Sequence, residues 1–201
     1  MSLIDAPLSL NCNIQWKITT VPASEPITAA DVKSYGIIET DDDDTLIGTM
    51  ITGVREMAER WTGRAFIEQT ITAYLDYWPS KRNWIQLPRP PLISVTGIYT
   101  VDEDDTETEY SSDYYYTTTT SNYGKVVIKN DVTPPYNYDR YTGGIKIVYK
   151  AGYGDAAEDV PQSLRLGLIE WVMHAYENRV MSRIPPVDSM PFVGAYKINR
   201  I

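Results

Sequence analysis

Four consecutive aspartates, Asp41 to Asp44, are the clearest group of side chains that could carry chemistry. Carboxylates can bind a hard cation, but a calcium loop needs further oxygen ligands at alternating positions and usually a glycine at a set place. The stretch DDDDTLIGT does not follow that pattern. Acids are also stabilised at the first turn of a helix, where free backbone N–H groups and the helix dipole favour negative charge. We therefore interpret the four aspartates as a helix start, with a charged contact to a partner as the alternative.

Residue types that commonly serve as nucleophiles or zinc ligands are scarce. Cys12 is the only cysteine and His174 the only histidine among 201 residues, so a zinc site of several histidines and thiolates is excluded. A pair of Cys12 and His174 would have no further residue to support it, and we interpret Cys12 as an idle thiol. A glycoside hydrolase would need two acids at a set separation, but most acids lie in runs such as DEDDTETE. We expect neither a catalytic site nor a cofactor.

The charge of the chain is strongly negative and unevenly placed. The net charge is −9, and a field of that sign repels nucleic acid. Seven acids and no base lie between Asp102 and Asp113, whereas the part beyond Asn178 is mostly basic. We expect this basic part to dock on an acidic surface, its own or a neighbour's. The candidates for such contacts are Asp102, Glu103, Asp104, Asp105, Arg179 and Arg183.

The elements that must position these residues begin with three predicted helices, at about 28–35, 42–62 and 161–178. Thr28 can cap the first helix and Gly36 can end it. In the second and third helices apolar residues recur every three or four positions, which is typical of a helix with one buried face. Gly63 can end the second helix in the left-handed conformation. His174 lies beside the apolar stripe of the third helix, and we expect it at the boundary of the core.

Between the second and third helices the pattern changes to that of strands. Residues 65–150 are rich in β-branched and aromatic side chains and are punctuated by prolines and glycines. Successive strands without helices between them predict an antiparallel sheet or a small barrel. In the stretch DYYYTTTTSNY, alternation places Tyr114 and Tyr116 on one face of a strand and Tyr115 on the other. We interpret it as a strand that runs into a hairpin tip, with a platform for sugar stacking as the alternative.

The two ends of the chain lack a helical period, which predicts extended arms at 1–27 and 181–201. Pro185, Pro186 and Pro191 favour an extended C-terminal arm. The arm is rich in apolar residues, unlike a disordered tail, which indicates that it lies in a groove or adds a strand to another chain. Its apolar residues are Ile184, Val187, Met190, Phe192, Val193, Tyr196, Ile198 and Ile201.

The chain resembles the head–tail connector, or adaptor, proteins of long-tailed bacteriophages and prophages. The stretches that carry the resemblance follow one another in the family's order and cover most of residues 28–180. They are ERWTGRAFIEQT (59–70), LPRPPLISVTGIYTVDED (87–104), SDYYY (112–116), GKVVI (124–128) and VYKAGYGDAAEDVPQSLRLGLIEWVMHAYENR (148–179).

The resemblance implies a structural virion protein at the head–tail interface, made in the cytoplasm of the host bacterium. Such a protein is a subunit of a ring, commonly of twelve copies, that lies beneath the portal, extends the DNA channel and serves viral genome packaging. A tail-completion or stopper protein binds to the ring from below. The implied fold is α+β, with a small helical core (28–180) that carries a β-rich insertion (65–150). The family supplies no catalytic residues to carry over.

Three surfaces follow as hypotheses. We expect the C-terminal arm, about Ile184 to Ile201, to reach the portal, and the acidic segment to meet Arg179 and Arg183 between ring subunits. We expect Asp41 to Asp44 to face the channel, where carboxylates offer no phosphate sites and DNA can slide.

The alternative function is an aromatic-rich β binding module of a phage tail that recognises glycans. It is motivated by sixteen tyrosines and five tryptophans. Such a module would bind sugar as a monomer, whereas a connector would ignore sugars and form rings.

Overall fold

The computed structural model describes residues 14–79, 82–119, 123–136 and 140–198. In these ranges one strand and two helices come first, seven further strands follow, and two helices come last. The predicted α+β class is confirmed. No helix within these ranges is long and apolar enough to span a membrane. The elements are β1 (Gln15–Thr20), α1 (Ala29–Gly36), α2 (Asp44–Thr62), β2 (Gln69–Leu75), β3 (Trp84–Gln86), β4 (Leu92–Val101), β5 (Glu107–Tyr110), β6 (Tyr115–Thr118), β7 (Lys125–Ile128), β8 (Ile145–Ala151), α3 (Gln162–Asn178) and α4 (Met190–Gly194).

The strands form two antiparallel sheets, as the run of strand patterns predicts. One sheet has five strands in the order β1-β2-β8-β4-β5, and the other has three in the order β3-β7-β6. Their facing sides share one hydrophobic cluster, in which Ile71, Ile98 and Ile147 of the large sheet meet Ile85 and Val126 of the small one. Each fully buried side chain of this size contributes about 1.5–3 kcal/mol, so the two sheets stabilise each other.

The first strand corrects the predicted N-terminal arm. Gln15–Thr20 pairs with β2, with Trp16 opposite Ala73 and Ile18 opposite Ile71. All six residues of β1 are exposed, so the strand has no buried face and its sequence carries no strong alternation. β1 is stabilised by backbone hydrogen bonds to β2, and without β1 that edge of β2 would be unpaired. Residues 1–13 of the predicted arm lie outside the described residues.

The helices form a second hydrophobic cluster, as their apolar stripes predict. α2 and α3 each turn one face inward, and Phe66 and Ile67 join this cluster at the point where the chain enters the large sheet. Gly63 ends α2 in the left-handed conformation, with φ 76°, as predicted. The central members of the helical cluster are Ile47, Ile51, Val54, Leu164, Leu168 and Trp171.

The predicted ends of α1 are confirmed, since Thr28 caps the helix and Gly36 is its last residue. The side chain of Thr28 accepts from the backbone N–H of Asp31, and the Asp31 carboxylate accepts from the backbone of Thr28, which forms a capping box. At the other end, Ile37 and not Gly36 takes the left-handed conformation, with φ 53°. Gly36 serves a different purpose, because a Cβ there would lie 2.5 Å from Cε of Met173 on α3. The glycine permits close packing of α1 on α3.

The predicted extended form of the C-terminal arm is wrong for its second half. Pro191 lies in the first turn of α4, where its fixed φ suits a helix and its missing N–H costs nothing. Val193 is fully buried in the helical cluster. The chain then continues along the core, where the N–H of Ile198 donates to the carbonyl of Thr62 at 2.9 Å. Residues 180–189 keep an irregular path, with most of their side chains exposed.

Gly167 makes this docking possible, and a pair of glycine variants tests it. A Cβ at Gly167 would lie 2.7 Å from Cβ of Phe192, whereas a Cβ at Gly48, in the middle of α2, meets nothing within 4 Å. We predict that Gly48→Ala raises the free energy of unfolding by about 0.5–1 kcal/mol, because alanine favours the helix.

Gly167→Ala favours the helical conformation by the same amount, but its added methyl group displaces α4. We predict that this variant loses about 1–3 kcal/mol from overpacking and is cleaved by protease near α4 faster than the unaltered chain. Urea unfolding and limited proteolysis measure both effects. Equal stabilisation by the two substitutions would show that α4 does not depend on Gly167.

Candidate functional site

The aspartate quartet lies at the start of α2, as predicted, but its hydrogen bonds differ from those of a cap. Asp44 is the first residue of the helix and Asp43 precedes it, without a side-chain bond to the helix N–H groups. The ammonium of Lys33, on α1, instead pairs with Asp41 and Asp44. The bond from Lys33 lowers the pKa of the Asp41 carboxyl. The quartet therefore ties α1 to α2.

Asp43 makes a second tie, to α3. The hydroxyl of Tyr176 donates to its carboxylate at 2.5 Å, and this bond raises the pKa of Tyr176. Among the residues that the structure describes, no group of three or more His, Cys, Asp or Glu side chains is placed to hold a metal ion.

A buried ionic cluster lies where α2 meets the large sheet. Glu59 is only 2 % exposed. One oxygen of its carboxylate accepts from the N–H of Phe66 at 2.8 Å and from the amide of Gln69 at 3.2 Å. The other oxygen lies 3.3 Å from Arg55 and 3.7 Å from Arg89. The cluster thus joins a helix, the entry to β2 and the loop before β4.

Burial and pairing oppose each other in this cluster. Loss of water raises the pKa of Glu59, whereas the hydrogen bond from the Phe66 N–H and the nearby arginines lower it. Burial likewise lowers the pKa of Arg89, while Glu59 acts against that shift. Arg55 also pairs with Glu25 at 2.7 Å, which fastens the segment before α1. This cluster was not predicted from the sequence, although Arg55 and Glu59 stand four residues apart beside the apolar Val54 and Ala58.

A basic pocket opens next to this cluster, with a volume of about 270 Å³. The guanidinium of Arg89 lies over the ring of Trp16, 4.9 Å from its centre. Arg60 is exposed, and within the described ranges no ion pair of its guanidinium is found. We use the term basic pocket for this cavity, which is lined by Trp16, Arg60, Gly63, Pro88 and Arg89.

The structure divides the predicted apolar arm into a buried part and an exposed part. Val193 is buried, and Tyr196 packs against the same helical cluster. Ile184 is 56 % exposed and Val187 is 87 % exposed. Ile201 lies outside the described residues. We call the exposed side chains of the irregular segment the apolar strip, which consists of Val180, Met181, Ile184 and Val187.

The acids proposed for ring contacts lie in the turn between β4 and β5. Asp102 accepts from the backbone N–H groups of Asp104 and Thr106, and Asp105 pairs with Arg140 at 2.5 Å. These bonds hold the turn in place. The exposed Glu103 and Asp104 have no ion pair within the described ranges. We call residues 102–105 the acidic turn.

The arginines proposed to meet the acidic turn lie elsewhere. The guanidinium of Arg179 lies over the ring of Tyr176, 5.1 Å from its centre, and Arg183 is exposed on the irregular segment beside the apolar strip. Within one chain the structure brings neither arginine to the acidic turn.

The exposure of the tyrosines in the Tyr/Thr stretch alternates as predicted, but Tyr114 lies in a short 3₁₀ helix (Ser112–Tyr114) before β6 and not in the strand itself. Tyr114 and Tyr116 are exposed, while Tyr115 packs against the core between the sheets and stacks on Tyr110 with ring centres 6.4 Å apart. The tip itself, at 120–122, lies outside the described residues, as does Cys12. His174 is half-buried at the edge of α3, as predicted.

The described residues thus form an α+β domain with two antiparallel sheets, a helical cluster and an exposed apolar strip. The sequence matches the family model described as head completion protein over residues 25–183. The chain therefore belongs to the head completion protein family. This membership confirms the resemblance to head–tail connector proteins.

Solved structures of the same fold come from gene transfer agent (GTA) particles. A chain from the neck of an empty GTA particle, computed with C6 symmetry, gives a TM-score of 0.79 at 17% identity. A chain from the virion of a native GTA particle gives 0.79 at 16%, and one from the neck of a native GTA particle, computed with C12 symmetry, gives 0.73 at 17%. Each alignment covers 93% of this chain and 97% of the other. No curated protein sequence matches the chain.

The buried cluster gives a prediction for stability. Glu59→Ala would leave Arg55 and Arg89 buried without their shared carboxylate, and breaking a buried ion pair costs about 3–5 kcal/mol. We predict a loss of that size in the free energy of unfolding, measured by urea denaturation followed by circular dichroism. The matched control is Glu56→Ala.

Glu56 also faces Arg55, at 3.9 Å, but its side chain is 64% exposed. Its removal should cost less than about 1 kcal/mol, as for other surface pairs. Similar losses in the two variants would mean that burial of Glu59 does not set its contribution.

Proposed function

We propose that this protein is a structural subunit of the neck that joins the head of a phage-like particle to its tail. Membership of the head completion protein family over residues 25–183 carries this proposal. The likeness of its fold to chains from GTA necks supports it. In this role the chain binds other proteins and catalyses no reaction.

The proposed assembly is a ring of twelve copies beneath the portal. The similar chains come from necks computed with C6 and with C12 symmetry, and a ring of twelve copies is compatible with both. The ring extends the DNA channel and offers its lower face to a tail-completion or stopper protein. Electron microscopy of the protein, alone and with its portal, tests the ring and its position.

We assign portal docking to the apolar strip and not to the whole C-terminal arm. Val193 is already buried against its own chain, so it has no apolar surface left to offer. Ile184 and Val187 are exposed on an irregular segment. Burial of their apolar surface on a partner would stabilise the complex by about 25 cal/mol per Å². The basic Arg183 directly precedes Ile184 and can reach an acidic group on the portal.

The aspartate quartet supports a channel wall that does not hold DNA. Asp41 and Asp42 are exposed at the start of α2. Carboxylates at such positions repel phosphate, and the net charge of −9 adds to that repulsion. Asp41 is held by the ammonium of Lys33, and the carboxylate of Asp42 accepts from the hydroxyl of Thr40 at 2.8 Å.

The apolar strip gives a prediction for assembly. We predict that Ile184→Asp combined with Val187→Asp leaves the free energy of unfolding within about 0.5 kcal/mol of the original, as for other surface changes, but lowers the number of copies on portal-containing particles. Quantitative mass spectrometry of purified particles measures the copies. The matched control is Ile37→Asp, because Ile37 is 84 % exposed and lies on the α1–α2 connection instead. Full incorporation of the double variant would exclude the apolar strip from portal docking.

The channel wall gives a second prediction. Filter binding at 150 mM salt, about physiological, should detect no retained duplex DNA with the unaltered protein. Asp41→Lys combined with Asp42→Lys should raise the affinity and make it fall with salt, since each added phosphate contact releases counterions. Strong, salt-sensitive binding by the unaltered protein would contradict a non-adhesive channel.

A further inference from the structure

The two edges of the five-stranded sheet carry opposite charges. At one edge, β1 (QWKITT) contains Lys17 and no acid. At the other edge, β5 (ETEY) contains Glu107 and Glu109 and no base; Glu107 pairs with Lys146 of β8 at 2.6 Å, and Glu109 is exposed. Strands in a sheet lie about 4.8 Å apart, so four intervals separate these edges by roughly 19 Å. One subunit thus presents a basic side and an acidic side.

The basic pocket lies at the β1 edge, because Trp16 belongs to β1 and forms part of its wall. Arg55, Arg60 and Arg89 are grouped in and behind the pocket. Three carboxylates, Glu25, Glu56 and Glu59, pair with Arg55 or Arg89, and within the described ranges none of them pairs with Arg60. Arg60 is the exposed member of this group and can bind a further anionic side chain.

The acidic turn lies at the opposite edge, between β4 and β5. Asp102 and Asp105 are used to shape the turn and to hold it against Arg140. Glu103 and Asp104 remain exposed at its tip. The turn therefore presents two free carboxylates on a supported backbone, which is a suitable shape for insertion into a pocket.

We propose that the acidic turn of one subunit docks in the basic pocket of the next subunit of the ring. This inference rests on the proposed function, since it names the contact that closes the assembly. A contact between two different patches on each subunit is heterologous, and such a contact forms a ring when its rotation closes. Guanidinium groups bind carboxylates through paired hydrogen bonds, and the ring of Trp16 adds an apolar wall.

This pairing replaces Arg179 and Arg183 as the basic partners of the acidic turn. Arg179 stacks on Tyr176 at the end of α3, and Arg183 lies on the irregular segment with the apolar strip. Arg60 and Arg89, by contrast, line the same pocket. The basic pocket is also on the sheet edge that faces away from the acidic turn, as a head-to-tail contact requires.

Charge reversal with rescue by mixing tests the pairing in the full chain. The turn variant is Glu103→Lys with Asp104→Lys, and the pocket variant is Arg60→Glu. Native mass spectrometry and counts of copies on portal-containing particles measure assembly. Each variant alone should assemble at least about tenfold less than the unaltered protein, because like charges then meet. An equimolar mixture of the two should recover assembly, since every pocket then faces a turn of opposite charge.

Two controls keep the result specific. Glu158→Lys changes an exposed acid on another surface and should assemble normally. Arg183→Glu, mixed with the turn variant, should give no recovery. Normal assembly of the turn variant, failure of the mixture to recover, or recovery with Arg183→Glu would each overturn the proposal.

Other outcomes separate this inference from the proposed function. If the unaltered protein does not join portal-containing particles, the proposed function fails. If it joins them and the turn variant does so equally, only the pairing fails. Binding of duplex DNA that is lost in Arg60→Glu, with assembly unchanged, would assign the basic pocket to a phosphate ligand and overturn the pairing.

Discussion

The carboxylate of Glu59 is the point on which the arrangement of helices and sheets depends. Its two oxygens contact groups from three parts of the chain, namely Arg55 on α2, Phe66 and Gln69 at the entry to β2, and Arg89 before β4. A charge that is almost fully buried is tolerated only when its partners stay in place. The position of the helical core relative to the large sheet is therefore fixed by a polar contact as well as by apolar packing.

The same contact shapes the surface that we propose for assembly. Arg89 bonds to the carbonyl of Arg64 at 2.9 Å, pairs with Glu59 and lies against Trp16. The loop before β4 is thereby held across the end of α2, and the basic pocket is the space left beside it. The pocket needs β1 for one wall, so it exists only when the segment before α1 has paired with the sheet.

Local patterns were sufficient for the elements that bury one face. The period of three to four residues predicted α2 and α3, because each has one apolar face. The content of β-branched and aromatic residues predicted strands such as β2 and β8. β1 and α4 were missed for the opposite reason. β1 has no buried side, and the five residues of α4 depend on the space left by Gly167 on α3. The ionic cluster was missed because its members are brought together from distant parts of the sequence.

The C-terminal segment shows how a chain can keep some apolar residues for itself and leave others for a partner. Burial of Val193 and the bond from Ile198 to Thr62 anchor the end of the described chain on the helical core. Since both ends of residues 180–189 are then fixed, the irregular segment is a loop of limited reach and not a free arm. Ordering such a loop costs less conformational entropy than ordering a free tail. Exposed Ile184 and Val187 on a tethered loop can therefore bind a partner surface with little loss of freedom, which a longer unattached arm could not do.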